Sequence, residues 1–305
     1  MITTASKIGI DQRRALQTAR VSFVPDGRTR VVAIIGDPVS HSVSPRAQSF
    51  ALAHLGENAL CLALRVGSEH LAEAVQGARH LGMRGVMVTI PHKEAVLALC
   101  DELHPSAQLV GAANFLEFRE DGTTCGHSSD GWAALRSLED RGVAVSGARV
   151  AILGGGGSAR SLALTFADAG AKRVTLYNRT LERAQTIAYE VQSRTQGVAE
   201  ARALPTNDLN EADIIINTTS VGMTPNVDSS PLHASLIQPS QTVFDIVYNP
   251  LETRLLREAK ERGAKTVDGL DMVLWTNVYA ARLAFRVELD IADLRAEARR
   301  ALGVT

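Results

Sequence analysis

The stretch that most constrains this chain is Val150-Ala151-Ile152-Leu153, followed at once by four glycines, Gly154 to Gly157, and by Ser158-Ala159-Arg160. The apolar run predicts a strand over 149–153, and the residues after Gly157 predict a helix over 158–169. Glycines at such a junction let the backbone turn sharply and come close to a bound group. The helix N-terminus then offers unpaired N–H groups and the positive end of its dipole. A dinucleotide pyrophosphate is the expected guest. A plain flexible turn is the alternative, and the strand-turn-helix context argues against it.

The end of the next strand selects between cofactors. An acidic residue there would accept from a ribose 2′-hydroxyl. This chain has Asn178-Arg179-Thr180, with Arg183 one turn further on. A guanidinium pairs with a 2′-phosphate through two hydrogen bonds, and an acid would repel it. Solvated helix-start residues are the bland reading of Arg179 and Arg183, but the dipole disfavours cations at a helix N-terminus. NADP is therefore expected over NAD.

Strands and helices alternate through most of the chain. Val31–Gly36, Leu60–Val66 and Arg84–Ile90 read as strands. Helices are expected over Arg46–Leu55, from a Ser68 cap to about His80, and from Pro91 onward. Asn114–Phe118 and Thr123–Cys125 predict a hairpin around Glu120-Asp121-Gly122, and a helix follows from Asp130 to about Arg141. Beyond the glycine loop, Arg173–Tyr177, Asp213–Asn217, Thr242–Asp245 and Lys265–Val267 read as strands. Helices are expected over Leu181–Val191, Met272–Glu288 and Ile291–Leu302. This alternation predicts an α/β fold with mostly parallel sheets.

With 32 basic and 33 acidic residues in 305, and few aromatics, the chain carries no basic patch suited to nucleic acid or an anionic membrane. No apolar run approaches the ~20 residues that span a bilayer. Cys61, Cys100 and Cys125 lie far apart, which predicts neither a zinc site nor a disulfide framework and suits a reducing cytoplasm. No metal is expected. Residues 1–29 read as an N-terminal arm, with Asp11 and Asp26 counting against a transit peptide.

Several segments remain to be placed. They are His41-Ser42-Val43-Ser44-Pro45, Val88-Thr89-Ile90-Pro91-His92-Lys93, Gly111-Ala112-Ala113-Asn114, Ser129-Asp130-Gly131, Asn217-Thr218-Thr219-Ser220-Val221-Gly222-Met223 and Asp268-Gly269-Leu270. Together with Asn178-Arg179-Thr180, and in this order from about Ile35 to Tyr279, they resemble the shikimate dehydrogenase family. The resemblance implies two domains with a cleft between them. An N-terminal α/β substrate domain would comprise 30–130 with 268–305, and a Rossmann-type NADP-binding domain 131–267. It implies reversible reduction of 3-dehydroshikimate to shikimate with NADPH. Lys93 and Asp130 match the catalytic pair. Ser42 and Ser44 match the serines that hold the substrate carboxylate, Thr89 and Asn114 the ring-hydroxyl contacts, and Tyr248 a further substrate contact. Thr276 stands where the family has a substrate-touching glutamine. The resemblance also assigns Thr218, Ile246 and Gly269 to the cofactor, in addition to the glycine loop.

These residue types suit that chemistry. A cationic Lys93 can stabilise a developing alkoxide and give it a proton, and Asp130 can fix the ammonium. Each also has a local alternative. Ser44 or Asp130 would serve as a helix N-cap, Lys93 as a solvated side chain, Asn114 as a strand-end pin, and Tyr248-Asn249-Pro250 as a turn. Gly111 and Gly131 are candidate hinges for domain closure.

The chain departs from the family pattern at four places. Met87 replaces an asparagine, Phe115 a threonine, Ser128-Ser129 an Asn-Thr pair, and Thr276 the glutamine. Each lost polar contact removes ~1 kcal/mol from binding of a hydroxylated ring. Quinate or an amino-substituted relative is thus an alternative substrate, and a non-catalytic metabolite sensor is an alternative of another class. A cyclic hydroxy or keto acid is the expected small-molecule partner, for a monomer or homodimer.

Overall fold

The computed structural model describes residues 24–206 and 209–304. The arm read at 1–29 lies outside the described residues up to residue 23. Residues 26–29 form a turn, with Thr29 donating to the Asn58 side chain at 2.7 Å.

The elements, in chain order, are β1 Arg30–Gly36, α1 Ser44–His54, β2 Ala59–Arg65, α2 Leu71–His80, β3 Gly85–Val88, β4 Glu102–Leu103, α3 Pro105–Val110, β5 Phe115–Phe118, β6 Thr124–His127 and α4 Asp130–Glu139. Then come β7 Arg149–Leu153, α5 Gly157–Asp168, β8 Arg173–Asn178, α6 Leu181–Arg194, β9 Ala199–Ala203, β10 Ile214–Asn217, β11 Thr242–Asp245, α7 Arg254–Glu261, β12 Lys265–Val267, α8 Leu270–Phe285 and α9 Ile291–Ala301.

The strands form two six-stranded sheets. The second runs β12-β11-β10-β7-β8-β9, every pair parallel. This is the doubly wound order, and it reverses between β7 and β10. Helices cover both faces, so strands such as Val150–Leu153 and Ile214–Ile216 are buried at successive positions rather than alternately. The first sheet runs β2-β1-β3-β5-β6-β4. It is parallel from β2 to β3 and antiparallel through the β5–β6 hairpin, whose turn holds Gly122 at φ +86°.

Helix packing joins the sheets. α8 packs against α1 and α4, and α4 in turn packs against α5. A Cβ on Gly131 would lie 2.0 Å from Thr165 Oγ1. Its φ is not positive, so Gly131 permits a close helix crossing rather than a special backbone conformation. α9 returns onto α1, fixed by Arg46 Nε to Glu297 Oε1 at 2.6 Å. Buried Asp271 accepts from both Arg141 and Arg295, at 3.2 and 2.8 Å.

Two expected helix starts are corrected. Pro91 opens no α-helix, because the chain turns through Thr89–His92 and forms only a 3₁₀ segment at Ala95–Leu99. Ser68 caps nothing: it begins a three-residue 3₁₀ turn, and α2 follows from Leu71. The short β4, α3, β9 and α7 are additions to the pattern read from the sequence.

Candidate active site

The cleft between the two sheets begins where β1 and β3 end and the antiparallel β5 starts beside them. Val88 N–H donates to Asn114 O at 2.8 Å, and Thr89 N–H to Ile35 O at 2.9 Å. His92 is buried and its Nε2 lies 2.8 Å from Val66 O, which pins the loop that carries Lys93. Ala113 N–H donates to Lys93 O at 2.8 Å. The Lys93 loop and the segment leading to Asn114 are thereby one unit.

Lys93 Nζ donates to Asp130 Oδ2 at 2.5 Å. Asn114 Nδ2 donates to Asp130 Oδ1 at 2.7 Å, and Asn114 Oδ1 accepts from Ser129 N–H and Oγ–H at 2.8 and 3.1 Å. Asp130 is the first residue of α4 and its carboxylate faces Lys93 and Asn114; the N-cap position belongs to Ser129, whose side chain makes no cap bond. The capping alternative for Asp130 is therefore corrected. Ser44 is likewise the first residue of α1, and its predecessor Val43 makes no side-chain cap.

These groups open on a cavity of about 190 Å³ lined by Ser42, Ser44, Thr89, Lys93, Asn114, Asp130, Tyr248 and Thr276. All eight residues assigned from the sequence to the substrate side thus meet in one place. Ile34, Met87, Phe115, Met272 and Val273 form an apolar wall of the same cavity. Sequence reading singled out Met87 and Phe115 there but not the other three. Ile34, Met87 and Phe115 come from β1, β3 and β5, so their common face follows from strand register. Thr276 Oγ1 donates to Val273 O in its own helix at 2.7 Å. Burial pushes the Tyr248 hydroxyl above its ordinary pKa.

The glycine loop lies at the reversal point of the second sheet. Gly154 has φ +127°, and a Cβ there would lie 2.4 Å from Thr218 Oγ1, which itself donates to Leu153 O at 2.7 Å. A Cβ on Gly155 would lie 2.9 Å from the Asn178 amide, whereas Gly156 and Gly157 face open space. The open backbone of Gly156 and Gly157, and the N-terminal N–H groups of α5, border a groove that Arg183 also lines. Neither Arg179 nor Arg183 has an ion-pair partner among the described residues, and both are exposed. That arrangement fits a dinucleotide with a further phosphate near Arg179 and Arg183.

The loops after β10 and β11 are organised by a buried carboxylate. Asp245 accepts from Asn217 Nδ2, Val247 N–H and Thr253 Oγ1 at 2.9, 3.0 and 2.7 Å. Burial nevertheless pushes its pKa up to about 6. Gly269 abuts this region: a Cβ there would lie 2.2 Å from Ile246 O. Ile246 and Gly269 are therefore in contact, at the join between β11 and the start of α8. Among the described residues no cluster of side chains is suited to a metal ion, and no helix is long and apolar enough to cross a membrane.

Residues 34–116 match the family model described as shikimate dehydrogenase substrate binding domain, and residues 136–272 match shikimate / quinate 5-dehydrogenase. A shikimate dehydrogenase (NADP(+)) from Symbiobacterium thermophilum is 43% identical over 258 residues, covering 81% of this chain and 86% of its own. The solved shikimate 5-dehydrogenase from Thermus thermophilus, in complex with NADP(H) and shikimate, is 36% identical. It superposes with a TM-score of 0.81 over 90% of this chain and 100% of its own. A ligand-free 5-ketofructose reductase from a Gluconobacter strain is 32% identical with a TM-score of 0.85, again over 90% and 100%. On these matches, which span both sheets and the cleft between them, the chain belongs to the shikimate dehydrogenase family.

Proposed function

We propose that this protein is an NADP-dependent shikimate dehydrogenase, reversibly reducing 3-dehydroshikimate to shikimate. The observation that carries the reading is the Lys93–Asp130–Asn114 constellation, set in a polar cavity beside a glycine-loop nucleotide groove. Ser42 and Ser44 supply hydroxyls for the substrate carboxylate, with Tyr248 alongside. Thr89 and Asn114 face the ring hydroxyls. Gly154 to Gly157 and Ser158 form the pyrophosphate cradle, and Asn178, Arg179, Thr180 and Arg183 take the adenosine end with its 2′-phosphate. Thr218, Ile246 and Gly269 border the nicotinamide side.

Bound NADPH supplies the hydride. Lys93 stabilises the negative charge that develops on the carbonyl oxygen and delivers a proton to it. Asp130 aims the ammonium and accepts from the neighbouring ring hydroxyl. Asn114 keeps the carboxylate from rotating away. Burying these polar groups together favours a ligand that pairs them all, since an unpaired one costs roughly 1–3 kcal/mol.

The sequence divides into a substrate domain of 30–130 with 268–305 and a nucleotide domain of 131–267. Support comes from the placement of the two sheets and from α8 and α9 returning to α1. The reading places the enzyme in the cytoplasm as a monomer or homodimer, in keeping with its free cysteines.

A second reading rests on the cavity wall. Met87 replaces an amide with a thioether, and Thr276 is turned onto its own helix. Both remove a polar contact to the shikimate ring and leave the cavity open to a different cyclic hydroxy acid, such as quinate or an amino-substituted relative. Following NADPH formation from NADP⁺ with shikimate and then quinate decides between them. Faster turnover of quinate at equal concentration selects the second reading. No turnover of either acid, with tight NADPH binding, favours the sensor or a substrate outside this pair.

A further inference from the structure

Arg160 lies in the first turn of α5, immediately past the glycine loop, and only 18% of its side chain is exposed. Its Nε and Nη2 donate to the two carboxylate oxygens of Glu190 on α6, at 2.6 and 3.1 Å. Its Nη1 reaches across the cleft to the main-chain oxygen of Gly111, at 3.3 Å, and lies 3.8 Å from Glu94 Oε1. Glu94 follows Lys93 directly, and Gly111 stands three residues before Asn114.

Gly111 is shaped to this contact. Its φ is +68°, and a Cβ there would lie 2.7 Å from Arg160 Nη2. The 111–114 segment is bonded to Lys93 through Ala113 N–H and to Asp130 through the Asn114 amide. A second link lies close by, with Arg194 Nη1 on α6 donating to Leu109 O at 3.0 Å. α3 thus docks on the nucleotide domain through main-chain oxygens held by two arginines. Such a fork fixes direction as well as distance, because guanidinium donors are rigid and planar.

Arg160 also borders the groove with Gly156 and Arg183, so a direct bond to the pyrophosphate is the obvious alternative. Its surroundings oppose that. Glu190 holds it bidentately and Glu94 stands nearby, so its charge is already matched, whereas Arg183 has no such partner among the described residues.

We propose that Arg160 is a positioning residue that ties the Lys93 loop and the Asn114 segment to the helix beneath the cofactor. It sets where the proton donor stands relative to the nicotinamide. The proposal rests on the shikimate dehydrogenase reading for its substrate, though not for its structural test.

The test compares the full-length wild type with Arg160→Gln, Arg160→Lys and Glu190→Gln. It reads kcat and KM with shikimate, the Kd for NADPH by nicotinamide fluorescence, and amide hydrogen exchange at Ala113. Arg160→Gln is expected to lower kcat at least tenfold while the NADPH Kd stays within threefold. Arg160→Lys should recover part of kcat, and exchange at Ala113 should speed up. If Arg160→Gln does not fold, Glu190→Gln must reproduce the loss of kcat, since it frees the guanidinium. A kcat within threefold of wild type overturns the proposal. So does a loss of NADPH affinity larger than the loss of kcat, which would make Arg160 a phosphate ligand. A wild type that does not oxidise shikimate refutes the substrate reading alone; Arg160 is then judged by Ala113, where unchanged exchange in the variants overturns it.

Discussion

Asn114 holds the Asp130 carboxylate by a 2.7 Å hydrogen bond to Oδ1, leaving Oδ2 to Lys93 at 2.5 Å. The aspartate is thus fixed from two sides. Lys93→Ala is expected to lower kcat for shikimate by roughly 10²–10⁴, the usual yield of a placed proton donor. Asn114→Ala should lower kcat less, and should also cost about 1–3 kcal/mol of stability by leaving the buried Asp130 oxygen and Ser129 N–H without partners. Initial rates and urea unfolding measure the two effects. A Lys93→Ala enzyme with unchanged kcat would remove the mechanism.

Arg179 and Arg183 bear on the cofactor alone. Replacing either with Gln is expected to lower kcat/KM for NADP⁺ about tenfold to a hundredfold, since charge-assisted bonds are worth roughly 1.5–3 kcal/mol. The value for NAD⁺ should hardly move. Steady-state kinetics with both cofactors decide; equal losses with NAD⁺ and NADP⁺ would mean that the arginines do not see the 2′-phosphate.

Met87 is the place to test the ring. Met87→Asn adds an amide to the cavity wall and is expected to raise kcat/KM for shikimate about fivefold, one ordinary hydrogen bond. A fall in kcat/KM for shikimate with no change for quinate would point to a ligand that wants the apolar wall.

Asp245 sets a pH dependence of stability. Its folded pKa, about 6, lies above its ordinary value of 3.8 because the carboxylate is buried. The folded state therefore holds the proton more tightly than the unfolded state between those values. Stability is lost as pH rises from about 4 to about 6, to a total of roughly 3 kcal/mol at most. Asp245→Asn does not titrate there. The Tm of the variant minus that of the wild type is expected to grow from pH 4 to pH 7 and then level. A difference that is flat across this range contradicts the assignment.

Gly269 gives a purely steric test. Gly269→Ala places a methyl group 2.2 Å from the Ile246 carbonyl oxygen, a main-chain atom that cannot swing aside. Overpacking of this kind costs roughly 1–3 kcal/mol. Thermal unfolding with and without NADP⁺ is the check; an unchanged Tm would show that the start of α8 can move away from β11.

What could be read from the sequence was what is local and repetitive. Val150–Leu153 and the glycines after it announce their structure within eight residues, and the hairpin around Gly122 does so through its turn. The helix expected from Pro91 failed because the sequence after it is apolar without a helical stripe, and the chain is held instead by His92 reaching back to Val66. α3 is too short to show a period. β9, Ala199-Glu200-Ala201-Arg202-Ala203, has no β-branched residue and forms because it lies along the edge of β8. The substrate side was legible only as a set of motifs, since Ser42, Lys93, Asp130 and Tyr248 come from four separate segments. The Arg160–Gly111 contact left no trace in either segment, and only the packing of α3 on α5 creates it.

The return of α9 to α1 has a consequence for how the protein is made. Arg46 and Glu297 are 251 residues apart, yet they close the same helical layer. Every strand of the second sheet lies between residues 149 and 267, so that sheet is complete in sequence before α8 and α9 have been synthesised. On the ribosome the second sheet can fold while the first still waits for its cover, so of the two sheets the one translated earlier is the later to be finished.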